Sequence, residues 1–143
     1  AAHEGLNRWV GMFAAASRRA VDDAAAFERR VIEIEGNWHA ALGRVRSGSA
    51  AELLLSVLPG IPIISVNGAA EVIGRSFQAT NQAMHRLEAA NVVRQITIGR
   101  RNRAYEAKAI IDAFTTLERR LATTTGDTTI ARPRRAAPAS PRA

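Results

Sequence analysis

Between Ser76 and Arg103 the chain concentrates side chains that exchange hydrogen bonds or carry positive charge. Among them are Ser76, Gln78, Asn81, Gln82, His85 and Arg86, followed by Arg94, Arg100, Arg101, Asn102 and Arg103. Carboxamides suit the edge of adenine, a histidine or arginine can touch bases or phosphates, and clustered guanidiniums supply a salt-sensitive attraction to a phosphate backbone. Catalysis has little material here. His3, His39 and His85 are far apart in sequence, there is no cysteine, and no Gly-rich phosphate loop is present. Glu33 and Glu35 read as surface acids of a helix rather than an acid/base pair, and no His, Asp or Glu set has metal-ligand spacing. The expectation is therefore a chain without catalytic residues, metal or cofactor.

The elements that must position these groups follow from the same stretch. Ser65 is placed to cap a short apolar-rich helix over Val66 to Ile73, and Gly74 to end it. Ser76 caps a second helix, in which Thr80, Ala83, Met84 and Leu87 recur at i, i+3, i+4 and i+7 and so form its buried face. Gln78, Asn81, Gln82, His85 and Arg86 are left outside or on the flank. Asn91 stands where a helix ends in a left-handed residue, Val92 to Ile98 and Arg103 to Ala107 read as strands, and Gly99 to Asn102 as the turn between them. Helix, turn, helix and hairpin in this order predict a winged helix. In such a fold the second helix enters the major groove while wing arginines reach phosphates or the minor groove.

The rest of the chain reads as support. Residues 3 to about 42 carry one amphipathic helical pattern through Trp9, Phe13, Ala16, Ala20, Ala24, Phe27, Val31, Ile34 and Trp38, with acids and arginines intermixed opposite. Forty helical residues extend about 60 Å, so a break near Gly36 or Gly43, or a partner along part of the stripe, is expected. Burial of the stripe within the chain is favoured over a dimer or inter-domain surface. Ala50 to Leu58 reads as a further helix, Pro59, Gly60 and Pro62 as a rigid turn, and Ile61 to Ile64 as a short strand pairing with the wing. Lys108 to Leu121 reads as a closing helix with Ile110, Ile111, Phe114, Leu117 and Leu121 buried. Thr123 to Ala143 has no periodicity and reads as disordered. The fold class is mainly α with a small β-hairpin: a helical arm over 1–48, a winged helix-turn-helix with a C-terminal helix over 49–122, and a disordered tail over 123–143.

Charge sharpens the functional reading. Of a net +7, residues 1–73 contribute nothing positive, with seven arginines against eight acids. Residues 74–107 hold six arginines against Glu88 and Glu106. The excess thus sits on the expected reading helix and wing, and on the tail. Only Lys108 among the 20 basic residues is lysine, a bias that a GC-rich genome would also produce. The most apolar segment, Ala50 to Val66, is interrupted by Glu52, Pro59, Gly60 and Pro62, so no membrane span is expected, and a soluble cytoplasmic protein is.

Several stretches resemble the C-terminal region of Fic/Doc-type proteins, in which an all-helical core is often followed by a winged helix. Gly5-Leu-Asn-Arg-Trp-Val-Gly-Met-Phe13 is similar to the start of the long helix after the Fic core. Ile63-Ile-Ser-Val-Asn-Gly-Ala-Ala-Glu-Val-Ile-Gly74 resembles the first helix of the following module, Ser76-Phe-Gln-Ala-Thr-Asn-Gln-Ala-Met-His-Arg-Leu87 the second, and Arg100-Arg-Asn-Arg-Ala-Tyr105 its wing. The likeness covers roughly residues 3 to 121. Asn91 stands where the family has Gly, and Val93 where it has Leu. The Fic signature of His, Pro, Phe, two variable positions, then Gly-Asn-Gly-Arg does not occur, so the resemblance carries over no catalytic residue and no AMP transfer. It implies a non-catalytic C-terminal region of a Fic family protein, read as an excised piece because the chain begins inside the long helix, whose winged helix binds double-stranded DNA. The alternatives are a protein-interaction or regulatory module that docks on a Fic catalytic core or a second copy through the Trp9–Trp38 stripe, with the winged helix contacting a target protein, and an independent winged-helix transcription regulator.

Overall fold

A computed structural model describes residues 2–98 and 102–122, with the side chains of residues 2, 98 and 102 left out. The elements are α1 (Ala2–Leu42), α2 (Ala50–Val57), β1 (Ile63–Ile64), α3 (Val66–Ile73), α4 (Phe77–Ala89), β2 (Arg94–Ile98), β3 (Asn102–Glu106) and α5 (Lys108–Ala122). This is the mainly helical chain with a small hairpin that the sequence predicts. The segment read as a disordered tail, 123–143, lies outside the described residues.

Each helix boundary around the turn has a local chemical cause. The Ser65 hydroxyl accepts from Gly68 N at 3.1 Å and the Ser76 hydroxyl from Ala79 N at 3.2 Å, which satisfies an otherwise open N–H in each first turn. Helix α3 ends at Gly74 with φ +63, where Arg75 N reaches back to Ala70 O at 3.1 Å and Gly74 N to Glu71 O at 3.3 Å. Helix α4 ends in the same way at Asn91, φ +57, with Val92 N bonded to Leu87 O and Asn91 N to Glu88 O, both at 2.9 Å. These are paired Schellman bonds, which close the last turn and redirect the chain. They also explain why β2 starts at Arg94 rather than Val92: Val92 and Val93 are drawn into the core beneath the cap.

The sheet has the order β1-β3-β2, antiparallel throughout, with Tyr105 opposite both Ile64 and Gln95. Ala107 N donates to Pro62 O at 2.7 Å and carries the β1 pairing to the threshold of α5. Below the sheet and α4 lies one core cluster, with Leu54, Leu58, Met84 and Leu87 fully buried at its centre. Thr80 is buried too, and its hydroxyl donates to Ser76 O at 2.9 Å, so the polar group enters the core satisfied.

The long helices meet the expectations of length and depart from those of burial. Helix α1 runs unbroken through Gly36 and ends at Gly43, φ +66, the second of the two places expected for a break. A single glycine costs about 1 kcal/mol relative to alanine, and the burial of Ile34 and Trp38 on either side of Gly36 holds the helix together. The apolar stripe of α1 is also divided rather than covered along its length. Ile34 and Trp38 are buried, but Trp9 and Phe13 are each 61% exposed, stacked on one another with centroids 5.5 Å apart. Helix α5 differs likewise: Ile110 is buried and Ile111 and Leu117 half-buried, whereas Phe114 and Leu121 are 51% and 57% exposed. It packs on α1, where Phe27 meets Phe114 edge to face with ring centroids 6.1 Å apart.

Candidate nucleic-acid interface

Thr80, Ala83, Met84 and Leu87 anchor α4 in the core, which turns the opposite side of the helix to solvent. Gln78, Gln82 and His85 are placed on that outer side by the helical period, and Asn81 is half-buried beside them. The carboxamides of Gln78, Asn81 and Gln82 make no hydrogen bond to the described residues. His85 Nδ1 lies 3.7 Å from Glu88 Oε2, and the other Glu88 oxygen accepts from Gln95 N at 3.3 Å.

A groove of about 800 Å³ runs beside this face, between α4, the first turn of α3 and the start of β3. Phe77, Asn81 and His85 form one wall, with Arg103 and Tyr105 across from them and Ile63 toward β1. Residues four apart lie on one side of a helix, so Phe77, Asn81 and His85 form a continuous row over two turns. Arg103 is exposed, giving the groove a positive rim, and Tyr105 is almost wholly buried. Burial pushes the Tyr105 phenol above its ordinary value, with the Glu88 carboxylate acting in the same direction and the Arg103 guanidinium opposing them. The phenol is therefore neutral throughout the physiological range.

The predicted site residues separate into those facing this groove or solvent and those bound within the protein. Arg86 is of the second kind: its Nη2 donates to Leu42 O at 3.1 Å and Arg44 O at 3.2 Å, tying α4 to the end of α1. Arg94 forms an ion pair with Glu106, directly opposite it across β2 and β3. Ser76 is occupied as the cap of α4. Arg75, part of the basic excess, donates to Gly48 O at 2.9 Å and staples the turn to the α1–α2 connector. Arg100 and Arg101 lie outside the described residues, and Asn102 is described only as backbone paired with Ile98. The positive charge available for phosphate is thus smaller than the count along the sequence, with Arg103 as its described part.

Ser76 tests this division directly. Replacing it with Ala removes a cap bond and is expected to cost about 1 kcal/mol of stability. Urea unfolding followed by circular dichroism measures it, and an unchanged midpoint would show that the cap contributes nothing to α4.

Phe77 is the residue that reading from hydrogen-bonding types misses. Its signal in the sequence is its position, one turn before Asn81 on the same row. Elsewhere, a hollow of about 570 Å³ between α1 and α5 contains a buried Asp23 oxygen without a hydrogen-bond partner among the described residues. Its lining mixes Arg29, Arg30 and Arg120 with Glu33 and Asp112, which gives no single ligand chemistry. Among the described residues no group of three or more His, Cys, Asp or Glu could hold a metal ion, and no helix is long and apolar enough to cross a membrane. No protein-family model matches the chain, and no curated protein matches it in sequence.

Proposed function

We propose that this chain is a non-catalytic, DNA-binding winged helix, the C-terminal region of a Fic-type protein, which places α4 in the major groove of double-stranded DNA and the β2–β3 hairpin on the flanking backbone. The observation that carries this reading is the row of unengaged hydrogen-bonding side chains on α4, Gln78, Asn81 and Gln82, turned outward beside a groove whose rim is Arg103. Base edges demand such side chains on a helix held rigidly from behind, and phosphates demand cations at its flank. Transcription regulation is the physiological role that fits sequence-selective binding without catalysis.

The test is binding of the full chain to a random-sequence duplex at several salt concentrations, with a second chain ending at Leu121 to separate the charge of the tail. Replacing Arg100, Arg101 and Arg103 together with Ala is expected to weaken binding and to flatten the log–log salt slope by about 0.9 for each phosphate that is no longer neutralised. Unchanged affinity and slope would remove the hairpin from the mechanism. Binding that disappears on removing residues 122–143 would place the attraction in the tail instead.

A second reading is favoured by one observation, the uncovered apolar half of α1, where Leu6, Trp9, Met12 and Phe13 are all exposed. On that reading the stripe docks on a Fic catalytic core or on a second copy of the chain, and the winged helix contacts protein rather than DNA. Light scattering that gives a monomer at high micromolar concentration would exclude the homodimer.

A further inference from the structure

Phe77 occupies the first position of α4, directly after its cap, and is 55% exposed. A lone exposed phenyl ring is ordinary, but this one stands in the row with Asn81 and His85 and faces the same groove as Arg103. An apolar ring and a carboxamide, one helical turn apart on a reading surface, match a particular feature of the major groove. An A·T pair displays the N6 and N7 of adenine, which an Asn carboxamide can pair with, and the C5-methyl of thymine, the one apolar group on any base edge there. A G·C pair keeps a purine N7 but sets the O6 acceptor where adenine has its N6 donor, and it carries no methyl.

Deepening the DNA-binding reading on which it rests, we propose that Phe77 packs on the C5-methyl of a thymine while Asn81 reads an adenine close by, so that the groove selects A·T pairs. The spacing permits it. Four residues advance about 6 Å along a helix and base pairs are stacked about 3.4 Å apart, so the two side chains address pairs no more than two steps apart. The N-terminal residues of a recognition helix are those that reach the base edges. Phe77 is also placed by backbone geometry alone: the cap bond from Ala79 N to the Ser76 hydroxyl fixes the first turn, which determines where the ring leaves the helix.

The experiment uses the full chain and duplexes recovered by it from a random-sequence pool. In a recovered duplex each thymine is replaced singly by uracil, a change that deletes only the C5-methyl. The native chain is expected to lose about fourfold in affinity at one position, the worth of one buried methyl group. Phe77→Ala should bind the thymine and uracil duplexes equally, while Asn81→Ala should bind more weakly overall and keep the preference. Because Phe77 is exposed, F77A should retain the native circular dichroism spectrum, and F77L provides a second variant, expected to keep part of the preference. Equal binding of every single-uracil duplex by the native chain, or a thymine preference that survives F77A, overturns the proposal while DNA binding stands. A pool that yields no bound duplex overturns both.

Discussion

Replacing Leu87 with Ala is expected to lower the stability of the domain by about 3 kcal/mol. Leu87 is fully buried in the core cluster, and it sits at the point where three features of the fold meet. Its side chain is the last of the four that hold α4 down, its carbonyl accepts Val92 N in the helix cap, and Val92 is itself buried after that reversal. The substitution leaves a cavity that neighbours bound to the cap cannot easily fill, so the cost should exceed the transfer free energy of the missing atoms alone. With total stabilities of order 5–15 kcal/mol for domains, the urea midpoint should fall markedly. On the proposed DNA-binding reading, loss of binding should follow the loss of folded protein and be recovered at lower temperature. A midpoint within error of the native value would mean that α4 is not held by this core, and its outward face would lose its rigidity.

The legible parts of the fold are those governed by short-range chemistry. Ser65, Ser76, Gly74 and Asn91 each report a backbone requirement that few residue types meet, and α3 and α4 begin and end where they stand. The buried face of α4 is equally readable, since Thr80, Ala83, Met84 and Leu87 repeat at the helical period. Periodicity says which side of a helix is apolar, not whether anything covers it. That is why the α1 stripe, uniform in sequence, is covered at Ile34 and Trp38 and open at Trp9 and Phe13. The sequence pattern of α5 overstates its burial for the same reason: Phe114 and Leu121 continue the pattern yet stay more than half exposed, although Phe114 touches Phe27 of α1.

The candidate site is legible as a set of residue types and less so as a set of roles. Gln78, Asn81, Gln82 and His85 are placed by the helical period alone, and they face outward or into the groove as expected. Arginines are long and promiscuous donors, so their roles depend on what tertiary structure puts within reach. The carbonyls at the end of α1 take Arg86 from more than 40 residues away in sequence, and the strand register delivers Glu106 to Arg94. Neither partner could be inferred locally. Three of the six arginines in the basic segment thereby serve the fold: Arg75, Arg86 and Arg94. Counting charge along the chain overstates the field presented to a phosphate backbone, which makes the salt slope a better measure of the interface than net charge.

The second large effect separates the two tryptophans. Trp38→Ala is expected to cost about 3–5 kcal/mol, whereas Trp9→Ala should stay within about 0.5 kcal/mol of the native stability. Trp38 is 5% exposed and belongs to the same cluster as Leu54 and Leu58, so its removal opens the seam where the C-terminal half of α1 meets the winged helix. The Arg86 bonds to Leu42 O, at the end of α1, and to Arg44 O, just beyond it, are then left to hold an end of the helix that no longer has an apolar footing. Trp9, 61% exposed and stacked only along its own helix on Phe13, loses little on truncation because little surrounds it. Urea unfolding of both variants measures the difference. Single-tryptophan chains check it independently: with Trp9→Phe the remaining Trp38 should resist acrylamide quenching, and with Trp38→Phe the remaining Trp9 should be quenched readily in the monomer. Similar stability losses for the two alanine variants would show that the stripe is covered along its whole length. Strong protection of Trp9 that disappears on dilution would instead identify its cover as a second copy of the chain, turning the exposed half of α1 from a bare surface into the dimer contact of the second functional reading.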